Sequence, residues 1–572
     1  MKVSVSKSKN STIYYLSKTV RVGKKFTTKT IERIGSREEV LQKCGDMDPY
    51  AWCKQYAAQK AKEEREESKN ALITFSAANQ IEKDVQRTCN VGYLFLQSLY
   101  HKVGLDKICA KISANHNFEY DLNKILSMLV YTRVLYPSSK RSSLELAQKL
   151  LEAPDCELHQ VYRALEILAK ENDFIQSELY KNSEKVIKRN KSVLYYDCTN
   201  YFFEIEEEDD FRKYGKSKEN RPNPIVQMGL FMDADGIPLS FSLFDGNMNE
   251  QPSLKPLEKK ILSDFGLDKF VVCTDAGLSS TENRRFNNVN NRRFVTTQPL
   301  KKLKGYLKDF VLEDTGWQVE GDTKVYKISE LNTNKDYDKI FYKKRWITVD
   351  DVEQQFIVTY SIKYREYLQK IRQRQIDRAE KLLQTPSKLK KKNPNDPKRF
   401  ISQNHCTDEG EIADNTISFI DEKAIQNEAQ FDGYYAVCTN LEDDVSTILR
   451  INQRRWEIEE CFRILKTEFK ARPVYLIRKD RITAHFQTCF IALVLYRLLE
   501  QKLESKYTCT QIIRTLRSMD MLIVPGEGYI PAYTRTDVTD ALHTAFSFRT
   551  DYQIISQKNM KKIITQTKKA KT

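Results

Sequence analysis

The chain has 572 residues, in which 94 lysines and arginines outnumber 78 aspartates and glutamates, so the formal net charge is +16. Hydrophobic residues make up 40% of the chain, with 30 Tyr and 27 Phe, and this composition excludes an intrinsically disordered protein. The positive charge favours a polyanionic partner, nucleic acid before an anionic membrane surface.

The twelve cysteines are scattered singly and never form a C-x-x-C pair. This spacing argues against a disulfide framework or a zinc ribbon, and it predicts reduced thiols in the cytoplasm. The N-terminus "MKVSVSKSKNSTIYYLSK" lacks the apolar segment of a secretory signal. The longest apolar run, "CFIALVLY" at 489–496, is far shorter than the ~20 residues that span a bilayer. We therefore expect a soluble protein without a membrane partner.

The N-terminal segment is basic, and "STIYYLSKTVRVGKKFTTKTIERIG" alternates and turns at Gly23, which predicts a hairpin or small sheet. Its interleaved aromatic residues favour DNA contact, with a solvated basic surface as the alternative. Two later stretches, "VGYLFLQSLYHKVGLDKICAKI" and "YDLNKILSMLVYTRVLYPSSKRSSLELAQKLL", carry apolar residues at three- and four-residue spacing. That spacing predicts a helical region, and its place beside the basic segment suggests a DNA-binding region.

The character of the sequence changes at residue 191. "KSVLYYDCTNYFFEI" and "FVVCTDAGLSS" predict buried strands, and "NPIVQMGLFMDADGIPLSFSLFDGN" predicts two strands joined through Asp235 and Gly236. Strands then alternate with helices, which indicates an α/β layer. The alternation of strands and helices is interrupted after residue 300, where predicted strands such as "KVYKISEL" accompany a long charged helix. It resumes at "FDGYYAVCTN".

The predicted segments are a basic β-rich N-terminal arm (1–45), a helical DNA-binding region (46–190), the first part of an α/β core (191–300), a β-rich insertion (301–430), the second part of the core (431–505), and a C-terminal helical region with a basic tail (506–572).

The segment "RRWEIEECFRILKTEFKARP" at 454–473 mixes glutamates with cations. Placed on a helix at 100° per residue, it predicts a buried stripe of Ile458, Phe462, Leu465 and Phe469. A basic stripe borders it, made of Arg455, Arg463, Lys466 and Lys470, and one glutamate, Glu459, lies within that stripe. Glu457, Glu460 and Glu468 point away from both stripes. The alternative is that Glu459 simply pairs with Arg455 and Arg463 at i,i+4 spacing.

Two aspartates favour a catalytic role for Glu459. Asp197 lies inside an apolar strand, where a charge is costly unless it is paired or metal-bound, and Asp275 ends the strand "FVVCTD". Two aspartates and a glutamate can hold two divalent ions ~3.5–4 Å apart for phosphodiester cleavage. Oxygen ligands select Mg²⁺ or Mn²⁺ over zinc, and the cations beside Glu459 are expected to hold DNA phosphates.

These residues resemble the DDE transposases of bacterial insertion sequences, in the branch with a Y-x(2)-R-x(3)-E-x(6)-K signature. Arg455, Glu459 and Lys466 fit its last three positions, whereas Asn452 stands in place of the tyrosine and leaves one phosphate-positioning contact open. "YYDCTNYFFE" resembles the first-aspartate motif and "VVCTDAGLSS" the second. The resemblance covers roughly residues 190 to 500 and, more loosely, the N-terminal segment.

The resemblance implies an RNase H-like mixed-sheet catalytic core interrupted by a mainly β insertion. With the helical N-terminal DNA-binding region predicted from the apolar spacing, the expected fold class is α/β. The resemblance implies that Asp197, Asp275 and Glu459 are the catalytic metal ligands. It also implies metal-dependent nicking of double-stranded DNA at terminal inverted repeats, attack of the freed 3′-OH on target DNA, and a homodimer in a synaptic complex. The location implied is the bacterial cytoplasm, at the nucleoid.

Three basic residues after the first predicted strand, Lys216, Lys218 and Arg221, are further candidate DNA contacts, with plain surface charge as the alternative. Thr199 is expected on the same face of the strand as Asp197, and His485 is expected to be structural. Two other functions stay open: an RNase H-like nuclease such as a junction resolvase, and a DNA-binding protein that has lost catalysis.

Overall fold

The computed structural model describes residues 1–8, 11–22, 25–67, 73, 76–289, 291–384, 396–406 and 412–569. The chain divides into two units. The first consists of Met1–Arg87, Leu522–Pro531 and Asp551–Met560, and the second of Thr88–Met521, Ala532–Thr550 and Lys561–Thr572. The six predicted segments are a finer division and stay a prediction.

The N-terminal part of the first unit is a three-stranded antiparallel sheet with two helices. Its elements are β1 (Lys2–Lys7), β2 (Thr12–Val22), β3 (Lys25–Ser36), α1 (Arg37–Cys44) and α2 (Pro49–Glu67), with strand order β1-β2-β3. Tyr14, Leu16 and Ile34 of the sheet pack against Val40 and Cys53 of the helices. The predicted small sheet is therefore confirmed, but Tyr14 belongs to its core and is not exposed for DNA. The turn predicted at Gly23 lies outside the described residues.

The second unit begins with a short strand and six helices, as the apolar spacing of the sequence predicts. They are β4 (Thr88–Asn90), α3 (Tyr93–Lys102), α4 (Leu105–Ala114), α5 (Leu122–Leu135), α6 (Lys140–Ala147), α7 (Leu158–Lys170) and α8 (Asn172–Val186). DNA binding by this region stays a prediction.

The elements that follow supply the strands of a large mixed sheet, the helices between them, and a separate two-stranded antiparallel sheet formed by Ile401–Cys406 and Ile412–Ile420. They are β5 (Val193–Phe202), β6 (Ile225–Asp233), β7 (Pro238–Asp245), α9 (Leu254–Asp264), β8 (Phe270–Thr274), α10 (Thr281–Phe286), β9 (Arg292–Thr297), α11 (Gly305–Leu312), β10 (Phe341–Val349), β11 (Val352–Tyr360), α12 (Ile362–Leu383), β12 (Ile401–Cys406), β13 (Ile412–Ile420), α13 (Glu422–Ala429), β14 (Tyr434–Thr439), α14 (Val445–Gln453) and α15 (Trp456–Thr467).

The remaining elements are α16 (Lys479–Lys502), α17 (Cys509–Ser518), β15 (Asp520–Val524), β16 (Gly528–Pro531), α18 (Asp537–Phe546), β17 (Ile555–Ser556) and α19 (Gln557–Lys568). By length and composition alone, α16 is the one helix in the described ranges that could cross a membrane, but 89% of its most apolar window is buried inside the protein. A core helix passes the same test, so this is weak evidence for a span.

The large sheet has eight strands in the order β10-β11-β14-β9-β8-β5-β6-β7. Strands β5, β6 and β7 are antiparallel neighbours, whereas β8 runs parallel to both β5 and β9. Strands β9, β14, β11 and β10 pair antiparallel in turn. The chain is thus a mixed α/β protein, and the two strands that lead to Asp197 and Asp275 are adjacent near the middle of the sheet.

The prediction of a mainly β insertion at 301–430 is wrong for the described residues. Helices and strands both contribute, and the longest element there is α12, with 22 residues. Two of the strands do not stand apart from the core, because β11 pairs with β14 and extends the main sheet. The stretch "KVYKISEL" forms only a short turn of 3-10 helix, Ile328–Glu330, and one isolated bridge between Tyr326 and Trp317. Local alternation predicts a strand, yet within the described part of the chain no neighbouring strand runs along it.

Candidate active site

The pairing of β5 with β8 brings Asp197 and Asp275 to the same level of the sheet. Tyr195 is opposite Cys273 in this parallel pair, and each aspartate follows two residues further along. The Cys198 backbone N–H donates to Asp197 Oδ1 at 2.7 Å. Burial, together with the charge of Asp275, raises the pKa of Asp197 to about 7 against the opposing effects of Lys218 and Arg455. The two carboxylates are therefore close enough for the charge of Asp275 to disfavour the charged form of Asp197.

Asp275 lies at the start of the loop after β8, and this loop shapes the space around its carboxylate. The Leu278 backbone N–H donates to Asp275 Oδ1 at 3.0 Å. A Cβ atom at Gly277 would lie 3.3 Å from Asp275 Oδ2. The absence of a side chain at Gly277 thus leaves room beside the carboxylate.

Helix α15 carries Glu459, and its predicted apolar face is confirmed. Ile458 and Leu465 are fully buried, Phe462 is 6% exposed, and Phe469 is buried just beyond the helix end. The buried face is wider than predicted, since Cys461 and Ile464 are also fully buried.

The position predicted for Glu457, away from the core, is wrong. Glu457 is only 9% exposed, with Oε1 at 2.9 Å from Arg454 Nη2 and Oε2 at 3.5 Å from Arg497 Nη2. Helix α16 packs against α15, and Arg497 on α16 supplies the countercharge that makes this burial tolerable.

Glu459 lies exposed in the first turn of α15. Among the described residues it forms no salt bridge, because Arg463 pairs with Glu460 at an Nε–Oε2 distance of 2.6 Å instead. The alternative of an i,i+4 pair is therefore not what the structure shows. A first-turn glutamate also stabilises a helix N-terminus, so this position has a structural use of its own.

Two cations on the same face of α15 as Glu459 reach toward β5. Arg455 is near enough to Asp197 to influence its pKa, and Lys466 Nζ donates to Thr199 Oγ1 at 2.7 Å. The helix face that bears Glu459 is therefore turned toward the aspartate strands. Even so, the carboxylate oxygens of Asp197, Asp275 and Glu459 do not all lie within 4.8 Å of one another.

Lys218 completes a group of three cations beside Asp197. Its Nζ donates to the Cys198 carbonyl and lies 3.0 Å from Glu250 Oε1. Burial, together with Lys218, lowers the pKa of Lys466 to about 8. The predicted residues Arg455, Lys466 and Lys218 are thus brought together around the aspartate, where they could hold an anion.

The other predicted DNA-binding residues lie farther out. Lys216 is exposed, although its carbonyl accepts from Asn200 Nδ2 at 3.1 Å, and the Arg221 guanidinium lies 4.2 Å from the Phe202 ring centroid. Arg463 and Lys470 are also exposed, and Lys470 follows the end of α15 in a left-handed conformation, with φ 44°. The structure leaves these four residues as surface cations.

One residue that sequence reasoning missed is Glu219. It forms ion pairs with Arg472 and with Lys466, at 3.5 Å from Lys466 Nζ. Through Lys466 it is connected to Thr199, two residues after Asp197. The available indication was a single acidic residue between Lys218 and Arg221 in an otherwise basic run.

His485 has the structural role expected for it: its Nε2 lies 3.0 Å from the Ala471 carbonyl oxygen. Burial, with Lys140 and Arg133 nearby, holds the pKa of His485 well below its usual range. The imidazole is therefore neutral.

A mixed α/β fold with paired aspartates beneath a glutamate-bearing helix defines a protein with a candidate carboxylate metal site. The family model described as "Transposase DDE domain" matches residues 201–495, which is more than half of the chain. The chain belongs to this family and is a DDE-type transposase. The match includes Asp275 and Glu459 and begins four residues after Asp197.

Two solved transposase structures have partial likeness to the chain. One is a cryo-EM structure of a piggyBac transposase synaptic complex with hairpin DNA: 8% identity, 85% of this chain and 89% of that chain covered, TM-score 0.38. The other is a Drosophila P element transposase strand transfer complex: 11% identity, 82% and 98% covered, TM-score 0.18. No curated protein matches the chain. With both TM-scores this low, the family match alone identifies the chain.

Proposed function

We propose that this transposase moves DNA by metal-dependent cut-and-paste transposition, with Asp197, Asp275 and Glu459 as its catalytic carboxylates. The observation that carries the proposal is the pairing of Asp197 with Asp275 at one level of two parallel strands. The enzyme nicks double-stranded DNA at terminal inverted repeats and joins the 3′-OH ends to target DNA. It acts as a homodimer that holds two DNA ends, at the bacterial nucleoid.

The proposed catalytic core is RNase H-like. A mixed sheet with the two aspartate strands side by side near its middle supports this assignment. The helix that carries Glu459 follows β14 through α14 and turns its basic face toward β5. The third carboxylate thereby comes from a helix, whereas the first two come from adjacent strands of the sheet.

The carboxylates fit divalent cations. Asp197 has a pKa raised by burial and by Asp275, so a bound cation would relieve an unfavourable charge pair. Glu459 has no ion-pair partner among the described residues and is free to serve as a ligand. Two Mg²⁺ or Mn²⁺ ions held by these three residues would supply an activated water or hydroxyl and stabilise the leaving oxygen.

The chain's own cations position the substrate. Arg455, Lys218 and Lys466 surround Asp197 and would bind the oxygens of the phosphate under attack. Arg455 Nε is buried without a hydrogen-bond partner in the described parts of the chain, so it has a donor to offer. These three residues hold and orient the phosphodiester, and they shield its negative charge as the nucleophile approaches.

The test is Mg²⁺-dependent nicking of a DNA fragment that carries the inverted repeats flanking the gene, by wild type, Glu459→Ala and Glu460→Ala. Loss of an outer-shell partner costs about 10–100-fold in metal affinity or activity, so loss of the ligand Glu459 should cost at least about 100-fold. Glu460 is the matched control, because it lies on the same turn and pairs with Arg463.

Loss of nicking only in the Glu460 variant would overturn the assignment of Glu459. Preferred cleavage of branched DNA over repeat ends by the wild type would point to a junction nuclease. Tight binding of the wild type to the repeats without any nicking would mean that the protein is a DNA-binding relative that has lost catalysis.

A further inference from the structure

A second basic site lies beside the candidate active site. It is a cavity of about 320 Å³, here called the α6 pocket, formed by the end of α5, the start of α6, residues 470–476 and His485 of α16. Four cationic residues line it, and none of its lining residues, all within the described chain, is acidic: they include Arg133, Lys140, Lys470 and Arg472.

Lys140 is the residue of the α6 pocket that most clearly indicates an anion site. Its side chain is 4% exposed, and its Nζ has no hydrogen-bond partner within the described residues. Burial, with the neighbouring Arg133, lowers the pKa of Lys140 to about 7. A buried ammonium group without a partner is costly, and an anion that enters the pocket would relieve the cost.

Arg133 adds a fixed positive charge to the same cavity. It is 3% exposed, and its Nη1 donates to the Phe469 carbonyl at 3.2 Å while its Nη2 donates to the Ser138 carbonyl at 3.0 Å. Its Nε is buried and unpartnered among the described residues. The guanidinium is therefore held in place by backbone oxygens with one donor to spare.

The N-terminus of α6 also faces this cavity. Ser139 caps the helix, with its Oγ accepting from the Ser142 backbone N–H at 3.1 Å, and both serines line the pocket with Ser138. A helix N-terminus carries partial positive charge and unpaired N–H groups, which suits a phosphate. The helix end and the two buried cations thus line the same cavity.

The position of the pocket relative to the aspartates bears on which anion it would bind. Arg472 lines the pocket and pairs with Glu219, which pairs with Lys466, which in turn bonds Thr199 near Asp197. Tyr475, at the rim, is 69% exposed and offers a ring on which a base could stack. A phosphate here would be connected to the strand of Asp197 through this chain of side-chain contacts, in which Arg472 and Lys466 share Glu219.

We propose that the α6 pocket binds one backbone phosphate of a DNA strand engaged at the candidate active site. This proposal rests on the proposed function, because it takes DNA as the substrate. The pocket binds the strand at a distance from the scissile phosphate and so determines which phosphate reaches the aspartates.

The test measures DNA binding by fluorescence anisotropy in EDTA, so that cleavage plays no part. Lys140→Met should weaken binding of the repeat duplex by roughly 10-fold and reduce the salt slope by about 1. Lys149→Met is the matched control, because Lys149 is an exposed lysine just beyond α6 that does not line the pocket. An unchanged affinity and slope for Lys140→Met would overturn the proposal. If the wild type fails to nick the repeats but Lys140→Met still weakens duplex binding, this site stands and the proposed catalysis is rejected.

A second measurement uses the wild type, in case the variant does not fold. Reductive methylation of Lys140 is followed by mass spectrometry in slightly acidic buffer with no addition, with the repeat duplex, or with inorganic phosphate. Protection by the duplex at concentrations where phosphate alone has no effect supports the DNA strand as ligand. Protection by phosphate but not by the duplex would mean a free anion, and no protection by either would mean no anion site; both results overturn the proposal.

Discussion

Asn452 occupies the signature position where the resembled transposases have a tyrosine, and its contacts explain the departure. The residue is 6% exposed. Its Nδ2 donates to Tyr435 Oη at 2.8 Å, and Thr297 Oγ1 donates to its Oδ1 at 3.3 Å. The amide therefore ties α14 to β14 and β9. In this chain the position has a packing role, and the tyrosine hydroxyl beside it belongs to Tyr435 of β14.

Replacing Asn452 by the signature tyrosine should therefore destabilise the protein. The larger ring has no room at a buried position, and overpacking of this kind costs about 1–3 kcal/mol. We expect a lower thermal midpoint for Asn452→Tyr than for wild type. The exposed neighbour Gln453→Tyr is the control and should leave the midpoint unchanged. An unchanged midpoint with faster nicking in Asn452→Tyr would show that the tyrosine's own role had been restored.

The candidate carboxylates show what local sequence can predict at this scale. Asp197 was expected in a buried strand and Asp275 at a strand end, since apolar neighbours mark both strands, and the structure has them there. The burial of Glu457 could not be predicted, because its partner Arg497 is 40 residues away on another helix. Likewise, the surroundings of Lys140, which has no hydrogen-bond partner among the described residues, could not be predicted, because Arg133 and His485 come from separate helices.

The β6–β7 hairpin shows how an element supports the candidate site from outside. Gly236 has φ +78°, and its carbonyl accepts from Arg497 Nε at 2.7 Å. A Cβ atom here would lie 2.2 Å from Arg497 Nη2 and 2.4 Å from Glu457 Oε2. The turn thus requires glycine at this position for two reasons: the backbone conformation, and the close approach of the ion pair that anchors the start of α15.

Gly236→Ala should accordingly lower the free energy of unfolding by more than backbone strain alone would. Gly266→Ala is the control, because Gly266 has φ +66° but, apart from its chain neighbours, no described residue lies within 4 Å of a new Cβ atom. We expect the control to lose about 1–2 kcal/mol of unfolding free energy and Gly236→Ala to lose about 1–3 kcal/mol more. Urea denaturation of the two variants and wild type measures the difference. Equal losses would mean that the Arg497–Glu457 pair moves aside freely.

Elements with strong local patterns were the predictable part of the fold. The turn at Asp235–Gly236, the helices of 93–186 and the strands that carry the aspartates are all present. The pairing of β11 with β14 was missed, because the paired residues are distant in sequence: Tyr360 is opposite Tyr434, 74 positions further along the chain. Which strands join a sheet depends on contacts distant in sequence, and local alternation does not report them.

For the whole molecule, the net charge of +16 predicts binding that depends steeply on salt. If the protein neutralises six to ten phosphates, affinity for a duplex should fall by about 10³–10⁵ between 50 and 200 mM salt, as condensed counterions are released. Anisotropy titrations across this range give the slope. A random duplex of the same length is the comparison, and it should share the slope even where its affinity is lower. A flat response would contradict phosphate contact as the main source of affinity.

The place of β14 in the sheet has a consequence for protein synthesis. This strand pairs with β9 on one side and β11 on the other, although the ribosome makes it after both. A chain released before residue 434 therefore has two unpaired strand edges in the middle of its sheet and lacks Glu459 altogether. Such a product exposes edges that favour aggregation and cannot complete the carboxylate set. Premature termination would then yield insoluble fragments and no partially active nuclease.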